Sequence, residues 1–140
     1  MMKMFTAAPL LLVPVFLYAL AAVPGGDPEA GLNAAIFTMP MISGGHWRFG
    51  VGDLILLIGL IMLFIEIIKS TNTKTFTLIN HGLSMAVFVV SLIAFMLFRS
   101  FATSVFFLLL SMMILDVVAG FMVTIVAARR DFGVGTGLID

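Results

Sequence analysis

Three ionisable side chains stand inside otherwise apolar stretches of this 140-residue chain: Glu66 within Val51–Ile68, which also has Asp53 at its start, His81 within Phe76–Phe98, and Asp116 within Phe101–Ala128. An ionised group near the centre of a bilayer-spanning helix costs at least about 2.5–3.5 kcal/mol on insertion scales, so such a residue faces protein or water. Two kinds of chemistry suit carboxylates and an imidazole placed this way. In one, Asp116 holds a proton or cation near the midplane and Glu66 and His81 pass protons to the cytoplasm. In the other, the three groups hydrogen-bond neighbouring helices and hold a bundle or an oligomer together. A single midplane acid is a thin basis for a pathway, which makes packing the simpler reading.

Their sequence neighbours serve either purpose. Lys69 follows Glu66 by three residues and reaches the same helical face, where the pair can also snorkel to the interface. Asn80 stands beside His81, and Ser84, Phe88 and Ser91 continue that face. Met112, Gly120 and Thr124 share the face of Asp116 at four-residue spacing, and Gly120 with Thr124 forms a small-xxx-small edge for close helix approach. The helical rise puts Glu66 about 7–10 Å and His81 about 10 Å to the cytoplasmic side of their spans' centres, with Asp116 near the midplane.

A second constellation lies outside these stretches. Met39, Met41, His46 and Trp47 fall within nine residues. Thioethers and an imidazole suit Cu(I), and an adjacent indole can shield the metal. Eleven methionines in the chain also make a Met-x-Met pair an ordinary coincidence. Gly133-Val134-Gly135-Thr136-Gly137 has the glycines of a phosphate loop but neither a preceding strand nor a closing Lys-Ser/Thr, and reads as a tail. No Ser-His-Asp triad or paired-carboxylate arrangement is present, and a chain without cysteine has no thiolate nucleophile, thiolate metal site or disulfide framework. The expectation is a protein that is not an enzyme and has no dedicated cofactor, with lipid, quinone or pigment contacts open to its apolar surface.

The elements that position these residues follow from composition. Hydrophobic residues make up 62% of the chain and charged ones 10%, against roughly 45–50% and about 25% in a soluble domain. The bilayer is therefore the expected solvent. Seven basic and seven acidic residues cancel, so charge gives no reason to invoke nucleic acid as a partner. Counted against the roughly 20 residues needed to cross the hydrocarbon, the apolar runs predict four helices at about 4–23, 51–69, 76–98 and 102–128. An unbroken helix from Phe76 to Ala128 would be roughly 80 Å long, so length demands a break near Arg99–Thr103 even though that segment lacks Gly and Pro. The short polar link Ser70–Thr75 makes the second and third spans antiparallel neighbours. Pro14 falls inside the first span and is expected to kink it.

Lys3, Lys69, Lys74, Arg129 and Arg130 lie on one side of this arrangement and Arg48 and Arg99 on the other. Five against two predicts cytoplasmic N- and C-termini by the positive-inside rule. A cleavable signal ending near Ala19-Leu20-Ala21-Ala22 is the alternative for residues 1–21 and would leave three helices. In the outer loop, 24–50, an apolar piece at 32–43 is too short to span and reads as interfacial or re-entrant, with Trp47 and Arg48 at the headgroups.

The sequence thus predicts an all-α polytopic integral membrane protein, four transmembrane helices in an antiparallel bundle, residing in the bacterial inner membrane. Its expected partners are membrane lipids and either other membrane subunits or copies of itself. The expected role is an accessory or assembly subunit, with fourteen Phe suited to broad packing. The alternative is a small homo-oligomeric transporter or channel coupled to protons or cations through Asp116, Glu66 and His81.

Overall fold

Long apolar runs become helices because, away from water, each backbone N–H and C=O must find its partner within the segment. The computed structural model describes residues 8–70 and 75–134. In order these form α1 (Leu12–Ala22), α2 (Pro28–Leu32), β1 (Ala35–Pro40), β2 (His46–Gly50), α3 (Val51–Ser70), α4 (Thr75–Leu97), a 3-10 turn (Arg99–Phe101) and α5 (Ser104–Val134). Three helical stretches are long and apolar enough to cross a membrane: Val51–Ser70, Ile79–Leu97 and Ser104–Val126. The mostly helical chain is thus compatible with a membrane helix bundle. The first expected span is helical over Leu12–Ala22, eleven residues, and residues 4–7 of that span lie outside the described residues. Leu12 and Val13 N–H donate to Pro9 and Leu10 carbonyls in a tighter turn that leads into α1. Pro14 therefore sits in the first turn of α1, where an unpaired N–H is the rule and proline is tolerated, not in mid-helix as expected.

The expectation that the second and third spans lie side by side is corrected. α5 packs along both α3 and α4, whereas α3 and α4 touch at only a few positions. The reason is legible in the buried face of α3, which runs Gly52, Ile55, Gly59, Leu63, Glu66 and Ser70 at spacings of three and four. Its two glycines let α5 settle closely. A methyl at Gly52 would come within 3.0 Å of Val105, and one at Gly59 within 3.0 Å of both Leu109 and Met112. Around this seam lie the buried Leu11, Tyr18, Ile55, Leu63, Phe106, Leu109, Leu110, Met112 and Met113. The outward faces are apolar too, with Phe16, Phe64, Val90, Met96 and Met122 more than half exposed.

The break after α4 is made by side chains. Phe98 is extended, and Thr103 caps α5 by accepting from the Phe106 N–H at 3.2 Å. Fully buried Tyr18 of α1 reaches the same point: its hydroxyl donates to the Ser100 carbonyl at 2.8 Å and lies 2.7 Å from the Thr103 hydroxyl. Its ring packs on Phe106 and Phe101 at centroid distances of 4.8 and 5.7 Å.

The segment 32–43 is the third place where the structure departs from expectation, because the fold is not wholly helical. Asp27 caps α2, accepting from the Glu29 N–H at 3.1 Å, and the chain then turns into an antiparallel hairpin of β1 and β2. Phe37 pairs with Phe49 and Met39 with Trp47, while Thr38 pairs with Arg48 and Pro40 with His46. Cross-strand partners share a face, so one side is aromatic and apolar and the other polar. Gly44, at φ +82°, closes the turn, and its N–H donates to the Met41 carbonyl at 2.9 Å. At the base, β2 passes directly into α3. The Gly50 N–H donates to Asp53 Oδ2 at 2.8 Å and the Val51 N–H to the Ala34 carbonyl at 3.0 Å, while Arg48 donates to the Asn33 carbonyl.

Replacing Gly59 with valine is expected to destabilise the bundle by about 1–3 kcal/mol, the usual cost of overpacking a tight contact. Gly82→Ala, whose added methyl meets nothing within 4 Å, should leave stability unchanged or raise it by up to about 1 kcal/mol. Helix loss followed during titration with a denaturing detergent measures both.

Candidate intramembrane polar site

Glu66 projects from the fifth turn of α3 into the bundle, where it is 1% exposed. A buried carboxylate requires donors, and this one has them from three elements. The Leu10 N–H, in the turn that opens α1, donates to Oε2 at 2.9 Å. The Asn80 side-chain amide of α4 donates to Oε1. Lys69 Nζ lies 3.2 Å from Oε1 and also donates to the Ala8 carbonyl at 3.2 Å. The lysine remains partly exposed, so its stem extends the pair toward the surface. Both carboxylate oxygens are occupied and the charge is matched. Glu66 thereby ties α1, α3 and α4 together.

Asp116 has a different environment. It is buried on α5 at 4% exposed and faces Ser84 of α4 across a gap lined also by Pro9, Leu11, Val87 and Met113. The gap leaves no room for a water-sized sphere. Glu66, Lys69 and His81 lie close enough to act on Asp116 electrostatically. His81, half-buried one turn before Ser84, lays its ring over Gly120, where any Cβ would collide with the imidazole. Phe121 meets that ring edge-on at 5.8 Å. Three buried polar atoms on this face of α4 have no hydrogen-bond partner: Asn80 Oδ1, His81 Nε2 and Ser84 Oγ.

The structure thus gathers Asp116, Glu66, His81 and Asn80 from three helices into one buried region. It does not use the Gly120–Thr124 edge as expected. Thr124 is exposed and donates to its own helix at the Gly120 carbonyl, 2.9 Å away, and the space at Gly120 receives the His81 ring rather than another backbone. The Cu(I) set is not assembled either. His46 pairs with Pro40 and Met39 with Trp47, so strand alternation places the imidazole on the face opposite Met39, with Met41 beyond the strand's end. Sequence reasoning missed Leu10, because a backbone donor carries no residue-type signal. It also missed Tyr18, although a lone tyrosine in an apolar run needs a partner for its hydroxyl.

Glu66→Ala would strand Lys69, Asn80 and the Leu10 N–H at once, and is expected to cost about 3–5 kcal/mol, as for breaking a buried ion pair. The double variant Glu66→Gln/Lys69→Met removes both charges and keeps one acceptor for the Leu10 N–H, while its amide NH2 can donate to Asn80 Oδ1 once that side chain flips; it should recover part of that loss in the same detergent titration. Comparison of the chain with known protein families, with curated proteins and with solved structures finds no match.

Proposed function

We propose that the chain is an accessory or assembly subunit of a membrane complex, crossing the bacterial inner membrane four times with both termini in the cytoplasm. What supports a fourth crossing is that residues 4–11 precede α1 without a charge. What supports the orientation is the sequence distribution of basic residues, with Lys3, Lys69, Lys74, Arg129 and Arg130 in the segments expected on one side and Arg48 and Arg99 in those expected on the other. The observation that carries the role is the hairpin. All six residues of β1 and the first three of β2 are exposed, and Phe37, Met39, Met41, Ile42 and Trp47 present apolar surface beyond the helices. A two-stranded hairpin is marginal by itself in water. An apolar hairpin face of this kind is suited to a neighbouring subunit, with aromatic and methionine side chains of the type enriched in interface cores.

A second reading, a homo-oligomeric proton- or cation-coupled transporter or channel, draws on the unpartnered polar atoms beside Asp116. One preparation separates the two. Mild extraction from the native membrane followed by intact-complex mass measurement is expected to show unlike subunits that are lost with Trp47→Ser and Phe37→Ser. A closed homo-oligomer unaffected by those changes supports the transporter instead.

A further inference from the structure

The two buried carboxylates divide the work between them. Glu66 is saturated by Lys69, Asn80 and the Leu10 amide, so it has no capacity for a transient guest. Beside Asp116 that capacity is unspent. Ser84, 5% exposed, lines the same gap as Asp116 and turns its hydroxyl to no group other than that carboxylate, and Asn80 and His81 each hold one unpartnered polar atom toward the Lys69 end. Buried polar groups are almost always paired, so the face of α4 beside Asp116 keeps hydrogen-bonding capacity that Glu66 has already spent. The gap decides what that is. It has no room for water, four of its six lining residues are Pro9, Leu11, Val87 and Met113, and among the described residues no three His, Asp or Glu side chains converge as metal ligands. A cation stripped of its hydration shell would find too few oxygens there, whereas a proton needs one carboxylate and one hydrogen-bond partner.

Access is one-sided. From Ser84 the polar face of α4 continues through His81, one turn away, to Asn80 at the Lys69 end of the bundle. On the other side of Asp116 the buried residues of α5 are Met113, Met112, Leu110, Leu109 and Phe106, met by Leu63 and Ile55 of α3, and only Ser91 of α4 interrupts that apolar layer. Among the described residues, the charged and titratable groups that face Asp116 are Glu66 and Lys69 from α3 and His81 from α4, while the turn before α1 presents Pro9 and Leu11.

We propose that Asp116 is a proton-binding site, filled through His81 and Ser84 from the end of the bundle that carries Lys69 and closed toward the opposite end. A hydronium ion at that end gives up its proton and leaves as water; the proton moves along the face of α4 that carries His81 and Ser84 and converts the carboxylate to the neutral acid, and release reverses these steps. With entry and exit on the same side, the chain senses or stores a proton and does not conduct it across the membrane.

The test is infrared difference spectroscopy of the full chain at stepped pH, in nanodiscs and in sealed vesicles of one orientation. A carboxylic C=O band that titrates, is lost in Asp116→Asn and survives in Glu66→Gln is expected, and in vesicles it should follow the pH only of the compartment facing Lys69. Ser84→Ala should shift the band as its hydrogen-bond partner is removed, which serves even where Asp116→Asn does not fold. A band that persists in Asp116→Asn, that ignores Ser84→Ala, that follows the opposite compartment, or that sodium alone displaces at constant pH overturns the proposal.

Discussion

The Glu66 carboxylate is the constraint around which the described bundle is organised. In a hydrocarbon setting an ionised side chain is tolerated only when its charge and lone pairs are met by protein, and each group that meets this one comes from a different place in the chain. Lys69 lies one turn along α3, Asn80 opens α4, and the Leu10 amide begins α1. α1, at eleven residues, is therefore docked at one end by the carboxylate and at the other by the buried Tyr18 hydroxyl. Apolar packing alone has no direction. These two polar ties give the short helix its position along the bundle.

α5 stands between α3 and α4 for a steric reason. Gly52 and Gly59 open a groove along α3 that admits Val105, Leu109 and Met112, and Gly120 returns the favour on α5 by admitting the His81 ring. The long final helix thus meets a smooth aliphatic seam on one side and the serine-lined face of α4 on the other. Asp116 falls where those two surfaces converge, which explains how a carboxylate comes to be buried next to Ser84.

Much of this was legible in the residues. Hydropathy placed three long helices within two residues of their observed ends except at the last, which runs on to Val134 past the expected 128, and it flagged Glu66, His81 and Asp116 because charge in an apolar run is a strong local signal. Depth suggested His81 as the group level with Glu66, whereas the side chain that reaches the carboxylate is Asn80, one residue earlier. What stayed hidden depends on three-dimensional proximity: the amide of Leu10, the reach of Tyr18 to Ser100, and the order of helices, which a short link between the second and third spans suggested wrongly. The hairpin was hidden for another reason. Its alternation of Phe37, Thr38 and Met39 against Trp47, Arg48 and Phe49 is a strand pattern, but at six and five residues it is too short to stand out from a hydrophobic loop, and the Gly44-Gly45 turn is its clearest mark.

The joint at Gly50–Val51 gives the molecule a mechanical property. Strand becomes helix here without an intervening residue, and hydrogen bonds from Gly50 to Asp53 and from Val51 to Ala34 brace both strands against the first turn. A torque applied at the hairpin tip has little slack in which to dissipate and is delivered to α3 as tilt or rotation. The far end of that lever is Glu66, whose ties to α1 and α4 would strain together, so the hairpin and the buried carboxylate form two ends of one rigid rod.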